Sequence, residues 1–352
     1  MTSVHVVVPD GVDDPARPSG GNAYDGQVCR GLAEIGWPVH VHAVPGSWPR
    51  PDAAAYAALA GVVQRIPDGA LALLDGLVAS TAPEVLVPQA DRLRLVALVH
   101  MPLGQGTGDS DVRTREDAVL SAAASVVTTS AWSRRMLLEL YSLPGERVHV
   151  AEPGVAAAPL SPGTTTGGSL LCVAAVIPGK GHDVLFDALA TMTDLSWDCL
   201  CVGSLDRDPA FAESLRRRIL DNGLGDSMRF PGPSVGADLD RCYVSADLLV
   251  LASRAETYGM VVTEALARGL PVVAADVGGV AEALGHGTGG IRPGRLVPPD
   301  DPAALAAALR AWLGDAEFRL TWRRAARERR ASLTGWSTTT AVLAGVLAEA
   351  AR

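Results

Sequence analysis

The chain has 352 residues, of which 48% are hydrophobic and 20% are charged, and its formal net charge is −9. Its length predicts two domains, and its apolar content excludes a disordered or fibrous protein. The first 162 residues carry 11 basic and 17 acidic side chains, and the remainder is also net negative. Nucleic acid is therefore not an expected partner, because binding by counterion release needs a concentrated basic face.

Strand-like runs alternate with helical stretches in the first half of the chain. Strands are predicted at residues 4–8, 39–43, 70–74, 95–100, 125–129 and 148–151, and helices at 22–35, 51–60 and 132–141. This alternation predicts βαβ units around a parallel sheet that is buried on both faces.

The loop after the first strand ends in Gly20-Gly21, immediately before the first helix. It lacks the GxGxxG pattern, which argues against a nicotinamide-dependent dehydrogenase. Two glycines at a helix N-terminus still allow the backbone to approach an anion closely. The alternative is a flexible turn that holds no ligand.

Residues 156–168 are uncharged and rich in Pro, Gly and Thr, as expected of an interdomain linker. The alternation then restarts, with strands predicted at 170–177, 198–202, 228–230, 247–252 and 271–275 and helices at 182–190, 210–221, 260–268 and 337–350. Two similar α/β halves are expected to bind ligands outside the carboxyl ends of their strands.

One turn of the second half carries an unusual cation. Of the 30 basic residues only Lys180 is a lysine, and it lies between Gly179 and Gly181 before the helix at 182–190. A lysine offers a compact point charge where arginine offers a planar fork, so Lys180 is a candidate for a role that arginine cannot fill. At the end of a strand that role is phosphate binding, and the alternative is a turn lysine in solvent.

A second loop, residues 253–259, joins the strand at 247–252 to a helix. The free amides and the positive dipole end of that helix suit a diphosphate. Glu256 lies in the loop, and Glu264 follows eight residues later in the helix. A carboxylate accepts two hydrogen bonds side by side, which suits the vicinal hydroxyls of a ribose or a hexose. The alternative for Glu264 is a charge on the helix surface.

The remaining signals concern the compartment. No run of 18 apolar residues is present, and the N-terminus lacks the basic region of a signal peptide, so a soluble cytoplasmic protein is expected. The five cysteines are an odd set without metal-ligand spacing, which indicates reduced thiols. The basic run at 323–330 is interpreted as the solvated face of a late helix rather than a lipid-binding patch.

Taken together, these segments resemble the retaining glycosyltransferases of the GT-B fold, in particular family 4 (glycosyl transferases group 1). The resemblance is densest over residues 253–273, SRAETYGMVVTEALARGLPVV, where the Glu-x7-Glu motif of the family falls on Glu256 and Glu264. Residues 178–185, PGKGHDVL, resemble its phosphate-binding turn, Gly20-Gly21 its glycine loop and His100 its sugar-contacting histidine.

The resemblance implies an α/β fold of two Rossmann-like domains that face each other across a cleft. These would be an acceptor domain at residues 1–160, a nucleotide-sugar domain at 161–335 and a final helix at 336–352 that crosses back to the first domain. It implies a nucleotide-diphosphate sugar as co-substrate, no resident cofactor and no metal. A small-molecule or sugar acceptor is favoured over a lipid, and a homodimer is left open.

Residue by residue, the resemblance implies catalytic roles for Lys180, Glu256 and His100. Glu264 would bind the ribose, Glu256 hydroxyls of the donor sugar, and His100 the sugar near the reacting carbon. The base would lie near Phe230 and Pro231. The full set implied to bind the donor is Gly20, Gly21, Lys180, Arg254, Glu256, Thr257, Tyr258, Gly259, Met260, Val261, Glu264, Phe230 and Pro231.

One position departs from the family pattern. The family usually has an arginine five residues before the lysine, and here that position is Ala175. Lys180 alone, or another arginine such as Arg254, would then meet the diphosphate charge. Two further hypotheses stay open beside a retaining hexosyltransferase that uses a UDP- or GDP-sugar: a sugar-nucleotide epimerase of similar two-domain fold, and a sugar-nucleotide-binding protein weakened in turnover.

Overall fold

A computed structural model describes residues 3–12, 14–16, 18–105 and 109–352. The chain divides into two compact units. The first runs to Asp14, continues from Gly20 to Gly154 and ends with Gly335–Arg352, and the second holds Pro15–Ser19 and Val155–Thr334. The sequence predicts divisions after residues 160 and 335, and the units divide after Gly154 and Thr334.

The first unit is built on a six-stranded parallel sheet in the order β2-β1-β3-β4-β5-β6. Its central strands are buried on both faces and rich in valine and leucine, as expected of a parallel sheet covered by helices. The strands are β1 (Val4–Pro9), β2 (Val39–Val44), β3 (Leu71–Asp75), β4 (Arg94–Val99), β5 (Ser125–Thr128) and β6 (Val148–Val150).

Helices connect these strands, and several begin at a side chain that caps the first turn. Asp52, Asp109 and Ser130 each accept a hydrogen bond from an amide of the helix that follows, which satisfies a donor with no partner inside the helix. The helices are α1 (Gly20–Glu34), α2 (Ala53–Gln64), α3 (Gly76–Ala79), α4 (Pro83–Leu86), α5 (Ser110–Ala122) and α6 (Ala131–Leu140).

The second unit repeats the plan with a parallel sheet in the order β12-β11-β10-β7-β8-β9. Its strands are β7 (Ser169–Val173), β8 (Asp198–Val202), β9 (Met228–Gly232), β10 (Leu248–Leu251), β11 (Val272–Ala275) and β12 (Gly294–Val297). Strand β7 ends four residues before the predicted strand does, and β12 is not predicted from the sequence.

Seven helices cover this second sheet within the described residues. They are α7 (His182–Ala190), α8 (Pro209–Asp221), α9 (Gly236–Ser245), α10 (Met260–Ala267), α11 (Val280–Leu284), α12 (Pro302–Gly314) and α13 (Ala316–Arg330). Two apolar cores, one on each face of the sheet, hold its strands between the helices. Among the described residues no helix has the length and apolar character needed to cross a membrane.

The last helix, α14 (Trp336–Ala350), belongs to the first unit. Its Leu343 and Leu347 are fully buried and share one apolar core with Val28 and Leu32 of α1. Thr339 Oγ1 donates a hydrogen bond to the carbonyl of Glu152 at 2.7 Å. The helix therefore packs against α1 in the first unit.

Both sheets contain a point where the strand order reverses. In the first unit it lies between β1 and β3, and in the second between β7 and β10. The connections that leave two such neighbouring strands run to opposite faces of the sheet, which opens a crevice at their carboxyl ends. Open α/β sheets bind their ligands in this crevice, so the loops after these four strands are where site residues are expected.

Candidate functional site

Lys180 lies in the turn that follows β7, at the reversal point of the second sheet. A single turn over Pro178–Lys180 leads into α7, and Lys180 donates its backbone N–H to the carbonyl of Ile177 at 3.0 Å. Gly181 adopts a left-handed φ of +65°, and a Cβ at this position would lie 1.9 Å from the carbonyl oxygen of Ala252. The glycine therefore lets the lysine turn pack directly against the end of β10.

The ammonium of Lys180 is paired with a carboxylate of the neighbouring loop. Nζ donates to Oε1 of Glu256 at 2.7 Å, and the hydroxyl of Ser253 donates to the same oxygen at 2.8 Å. The two side chains are 29% and 13% exposed, so the pair reaches solvent. Two of the three residues proposed from the sequence as catalytic thus meet in one ion pair at the carboxyl edge of the sheet.

The backbone around Glu256 is fixed by the next loop of the sheet. Gly279, after β11, donates its N–H to the carbonyl of Glu256 at 3.2 Å. Tyr258 is buried in the core on this face, while Thr257 is half-buried. Helix α10 begins at Met260 after Gly259, whose φ is +92°. The first amides of α10, from Met260 and Val261, therefore lie at the end of the loop that carries Glu256.

Glu264 lies one and a half turns into α10 and has a different partner. The hydroxyl of Tyr243 donates to Glu264 Oε2 at 2.7 Å, and the Arg268 guanidinium lies 4.5 Å from the centre of the Tyr243 ring. Burial raises the pKa of Glu264, although Tyr243 and Arg268 oppose the shift. Glu264 is half-buried, so it is neither a freely solvated helix charge nor a fully enclosed group.

Arg254 holds the lysine turn in this structure. Its guanidinium bonds both oxygens of Asp183 at 2.8 and 2.9 Å and Asp300 at 2.6 Å, and it also donates to the carbonyl of Pro178. Its backbone N–H donates to the carbonyl of Gly179 at 2.9 Å. The guanidinium is therefore already engaged by two carboxylates. A direct contact of Arg254 with a diphosphate stays a prediction.

Phe230 and Pro231 lie in the edge strand β9. The ring of Phe230 is half-buried and its centre lies 6.2 Å from that of His182, the first residue of α7. Pro231 is exposed. These two residues are near the start of the helix that follows Lys180, and a contact with the base of a nucleotide stays a prediction.

The first unit brings His100 together with two carboxylates that the sequence reasoning missed. His100 follows β4, Asp75 is the last residue of β3, and Asp25 lies in α1. His100 Nε2 lies 2.8 Å from Asp25 Oδ1 and 3.5 Å from Asp75 Oδ2. Both aspartates are at most 4% exposed. Asp75 directly follows the strand predicted at residues 70–74, which is the one signal of a site residue that the sequence offered, although it does not reveal the partners.

The glycine loop lies beside this cluster. Gly20 and Gly21 open α1, and a Cβ on Gly21 would lie 3.3 Å from Cδ2 of His100. The ring of Tyr24 meets the His100 ring edge-on, with 5.2 Å between their centres. The loop and the histidine singled out from the sequence therefore lie together in the first unit.

The three side chains of the cluster shift one another's pKa values. Burial alone would lower the pKa of His100, but the charge and hydrogen bond of Asp25, together with the charge of Asp75, raise it to about 9. Burial and the adjacent Asp25 carboxylate raise the pKa of Asp75 to about 7. At neutral pH the arrangement favours a cationic imidazole against at least one carboxylate.

The fold also groups three soft ligands that the sequence spacing did not reveal. The ligand atoms of Cys172, His182 and Cys201 lie within 4.8 Å of one another. All three residues are fully buried, and both thiols belong to the apolar core of the second unit. The cysteines are free, as the sequence predicted.

Comparisons with known proteins give the family of the second unit. Residues 164–329 match the family described as "Glycosyl transferases group 1". D-inositol 3-phosphate glycosyltransferase 1 of Catenulispora acidiphila is 34% identical over 282 residues, which cover 74% of this chain and 66% of that protein. The chain spans less than two thirds of the length of the first curated relatives that it matches.

Solved structures give the fold of both units. Sucrose-phosphate synthase of Thermosynechococcus elongatus has a TM-score of 0.80 and 21% identity, with 99% of each chain covered. Anabaena Alr3699/HepE in complex with UDP-glucose has a TM-score of 0.77 and 19% identity, with 99% of this chain and 100% of that chain covered. The expected α/β architecture is confirmed: the chain has the GT-B fold, and its residues 164–329 belong to the glycosyl transferases group 1 family.

Proposed function

We propose that the protein is a retaining glycosyltransferase that moves a hexose from a nucleotide-diphosphate sugar to a hydroxyl group, without a metal ion. The observation that carries this proposal is the Lys180–Glu256 ion pair at the reversal point of the second sheet. It joins the phosphate-type turn to the Glu-x7-Glu segment within the part of the chain that matches the family.

The donor would replace the partner of Lys180. In the free protein the ammonium is bonded to Glu256 at 2.7 Å. A bound diphosphate carries more negative charge than one carboxylate, so it would draw the ammonium away from Glu256. Glu256 would then be free to accept hydrogen bonds from the donor sugar, and Glu264 from the ribose. The first amides of α10 would add partial positive charge toward the diphosphate.

The chemistry follows from where charge develops. The bond between the anomeric carbon and the diphosphate oxygen breaks, and negative charge grows on the departing diphosphate. Lys180 stabilises this charge more in the transition state than in the ground state, which lowers the barrier. The acceptor hydroxyl attacks from the same face, and the departing phosphate oxygen takes its proton. No carboxylate of the protein acts as a nucleophile in this scheme.

The donor and acceptor classes have separate support. UDP-glucose is the ligand named for a structure that shares the fold, so UDP-sugars come first among donors, with GDP-sugars next. The relative from Catenulispora acidiphila is named for inositol 3-phosphate, so an inositol phosphate comes first among acceptors. The net negative charge of the chain gives no support to an anionic membrane surface.

The test is a transfer assay with matched blanks. Purified protein is incubated with UDP-, GDP- or ADP-sugars, with and without a panel of inositol phosphates, sugars and small-molecule alcohols, and the nucleoside diphosphate released is measured. The proposal expects acceptor-dependent release, insensitivity to EDTA and a product with the anomeric configuration of the donor. Configuration is read by NMR of the product.

Two other results would replace the proposal. Conversion of a sugar nucleotide to its epimer without an acceptor would identify an epimerase. Binding of a sugar nucleotide without release under any condition would identify a binding protein, for which the alanine at position 175 in place of the usual arginine is the motivating feature.

A further inference from the structure

The first unit contains a cluster of three interacting titratable side chains: His100, Asp25 and Asp75. The imidazole presents Nε2 to both carboxylates, at 2.8 Å and 3.5 Å. Nδ1 of His100 makes no hydrogen bond to the residues that the structure describes. The ring is 14% exposed, whereas Asp25 is 2% and Asp75 is 4% exposed. The histidine is therefore the member of the group that reaches the surface.

We propose that Asp25 is a positioning residue for His100: together with Asp75 it keeps the imidazole cationic and turns Nε2 inward, which leaves Nδ1–H free to donate to the substrate. This inference deepens the proposed function, on which the identity of that substrate rests. Asp25 itself does not touch the substrate in this account. Its action passes through the ring of His100.

The need for a cation follows from burial. A buried carboxylate is strongly destabilised unless a charge or several hydrogen bonds compensate it. Oδ2 of Asp25 is buried and has no hydrogen-bond partner among the described residues, so the bond from Oδ1 to His100 bears most of the compensation. A neutral imidazole would leave Asp25 poorly compensated, whereas an imidazolium matches it.

Asp75 supports the same state with a second carboxylate, whose Oδ2 lies 3.5 Å from Nε2. Its Oδ1 accepts the N–H of Leu77 at 2.7 Å, which fixes the carboxylate at the end of β3. The groups that face the ring are Asp25 and Tyr24 from α1 and Asp75 from β3. Burial raises the pKa of Tyr24, so its hydroxyl stays neutral and adds no competing charge. The environment of the ring is therefore anionic.

A cationic Nδ1–H does what a neutral ring could do only in one tautomer. It is always a donor, and it carries positive charge on a side chain that is 14% exposed. A charged donor of this kind can stabilise negative charge on a bound substrate or polarise one of its hydroxyl groups. His100 is therefore expected to stay cationic to a higher pH than an ordinary histidine, whose reference pKa is 6.5.

The experiment titrates the histidines by NMR in full-length protein labelled with ¹⁵N-histidine, and a His100→Gln variant identifies the His100 signals. Wild-type His100 is expected to stay cationic through pH 8. In Asp25→Asn its midpoint is expected to fall by about one pH unit or more, because the principal opposite charge is gone. Asp75→Asn is expected to produce a smaller fall, because that oxygen is 0.7 Å farther away.

The control is Asp247→Asn, which removes another buried carboxylate that pairs with Arg323 in the second unit. It is expected to lower stability without moving the His100 midpoint. Once a donor and an acceptor are found, kcat should fall as the pH rises and His100 loses its proton. In Asp25→Asn this fall should begin at a lower pH than in the wild type, with the donor KM nearly unchanged below pH 6.

Two outcomes would overturn the inference: a wild-type His100 midpoint near 6.5, or a His100 midpoint in Asp25→Asn equal to that of the wild type. If Asp25→Asn fails to fold, the His100 midpoints of the wild type and of Asp75→Asn still test whether the neighbouring carboxylates keep the imidazole cationic. The titration needs no activity, so an elevated midpoint in a protein without transferase activity would defeat the proposed function and leave the positioning role standing.

Discussion

Each of the two units places a cation at the carboxyl ends of its strands, after β7 in the second unit and after β4 in the first, and surrounds it differently. In the second unit Lys180 is paired with Glu256, a partly exposed carboxylate at the end of an adjacent loop. In the first unit His100 is paired with Asp25 and Asp75, which are buried and belong to the framework of α1 and β3. One cation has a partner that a ligand could displace, and the other has partners that remain.

Under the proposed function, this difference predicts different roles for the two cations. A cation that must bind and release a diphosphate benefits from a weak, solvent-exposed partner, because surface ion pairs contribute little to stability. A cation that must keep its charge while substrates come and go benefits from buried partners. The comparison therefore predicts that changes at Lys180 act on donor turnover and that changes at Asp25 act on the state of His100.

The largest expected effect is at Lys180. Lys180→Ala should lower kcat/KM by roughly 10²–10³, the loss typical of one preorganised group that stabilises transition-state charge. The unfolding temperature should change little, because the ion pair it breaks is partly exposed. Steady-state kinetics with the donor measure this. Arg310→Ala, which breaks a surface ion pair with Asp194, is the matched control, and wild-type kinetics in Lys180→Ala would refute the phosphate role.

A pair of glycine variants tests whether the lysine turn must pack against β10. Gly181→Ala places a Cβ 1.9 Å from the carbonyl of Ala252 at a φ of +65°. The left-handed backbone alone costs about 1–2 kcal/mol, and the unfolding temperature should fall by several degrees. Gly179→Ala is the control, because a Cβ there meets no atom within 4 Å. Calorimetry showing equal stability for the two variants would contradict the packing described for this turn.

Arg254 separates a positioning role from direct phosphate binding. If it only holds the turn through Asp183 and Pro178, Arg254→Gln should lower kcat/KM by roughly tenfold, about 1.4 kcal/mol, and Asp183→Asn should do nearly the same. A much larger loss in Arg254→Gln than in Asp183→Asn would show instead that the guanidinium reaches the diphosphate. Kinetics on the two variants, in parallel with Lys180→Ala, make the distinction.

The smallest effect is expected at Glu264. Glu264→Gln keeps an oxygen that can accept from Tyr243 but removes the charge that favours two ribose hydrogen bonds. The donor KM should rise by roughly threefold to tenfold, with kcat nearly constant, because a ribose contact is made equally in the ground and transition states. Initial rates at varied donor concentration test this. A loss confined to kcat would place Glu264 elsewhere in the mechanism.

The second unit was the easier one to predict from sequence. Lys180, Glu256 and Glu264 fall in two short segments, each with a strand, a turn and a helix, and local periodicity predicts those elements well. The sequence prediction of this unit fails at two places, the end of β7 and the strand β12. Residues 174–177 continue the apolar run of β7 but lie outside the strand and lead into the turn at Pro178–Lys180. Strand β12 is four residues long, and its exposed Arg295 breaks the apolar pattern.

The first unit shows why the rest could not be predicted. Asp25, Asp75 and His100 are separated by 50 and 25 residues, and only the strand order β1-β3-β4 brings them to one edge. An aspartate in a helix gives no local signal of a partner so far along the chain. The same holds for Arg254, whose pairing with Asp183 depends on β7 and β10 being neighbours.

The most direct test of this account is calorimetric binding of UDP, GDP and ADP to the wild type and to Lys180→Ala. We expect one of the three nucleotides to bind the wild type, and its affinity to fall at least tenfold, about 1.4 kcal/mol, when the only lysine of the chain is removed. Equal affinity for the two proteins, or no binding of any nucleotide to the wild type, would contradict it.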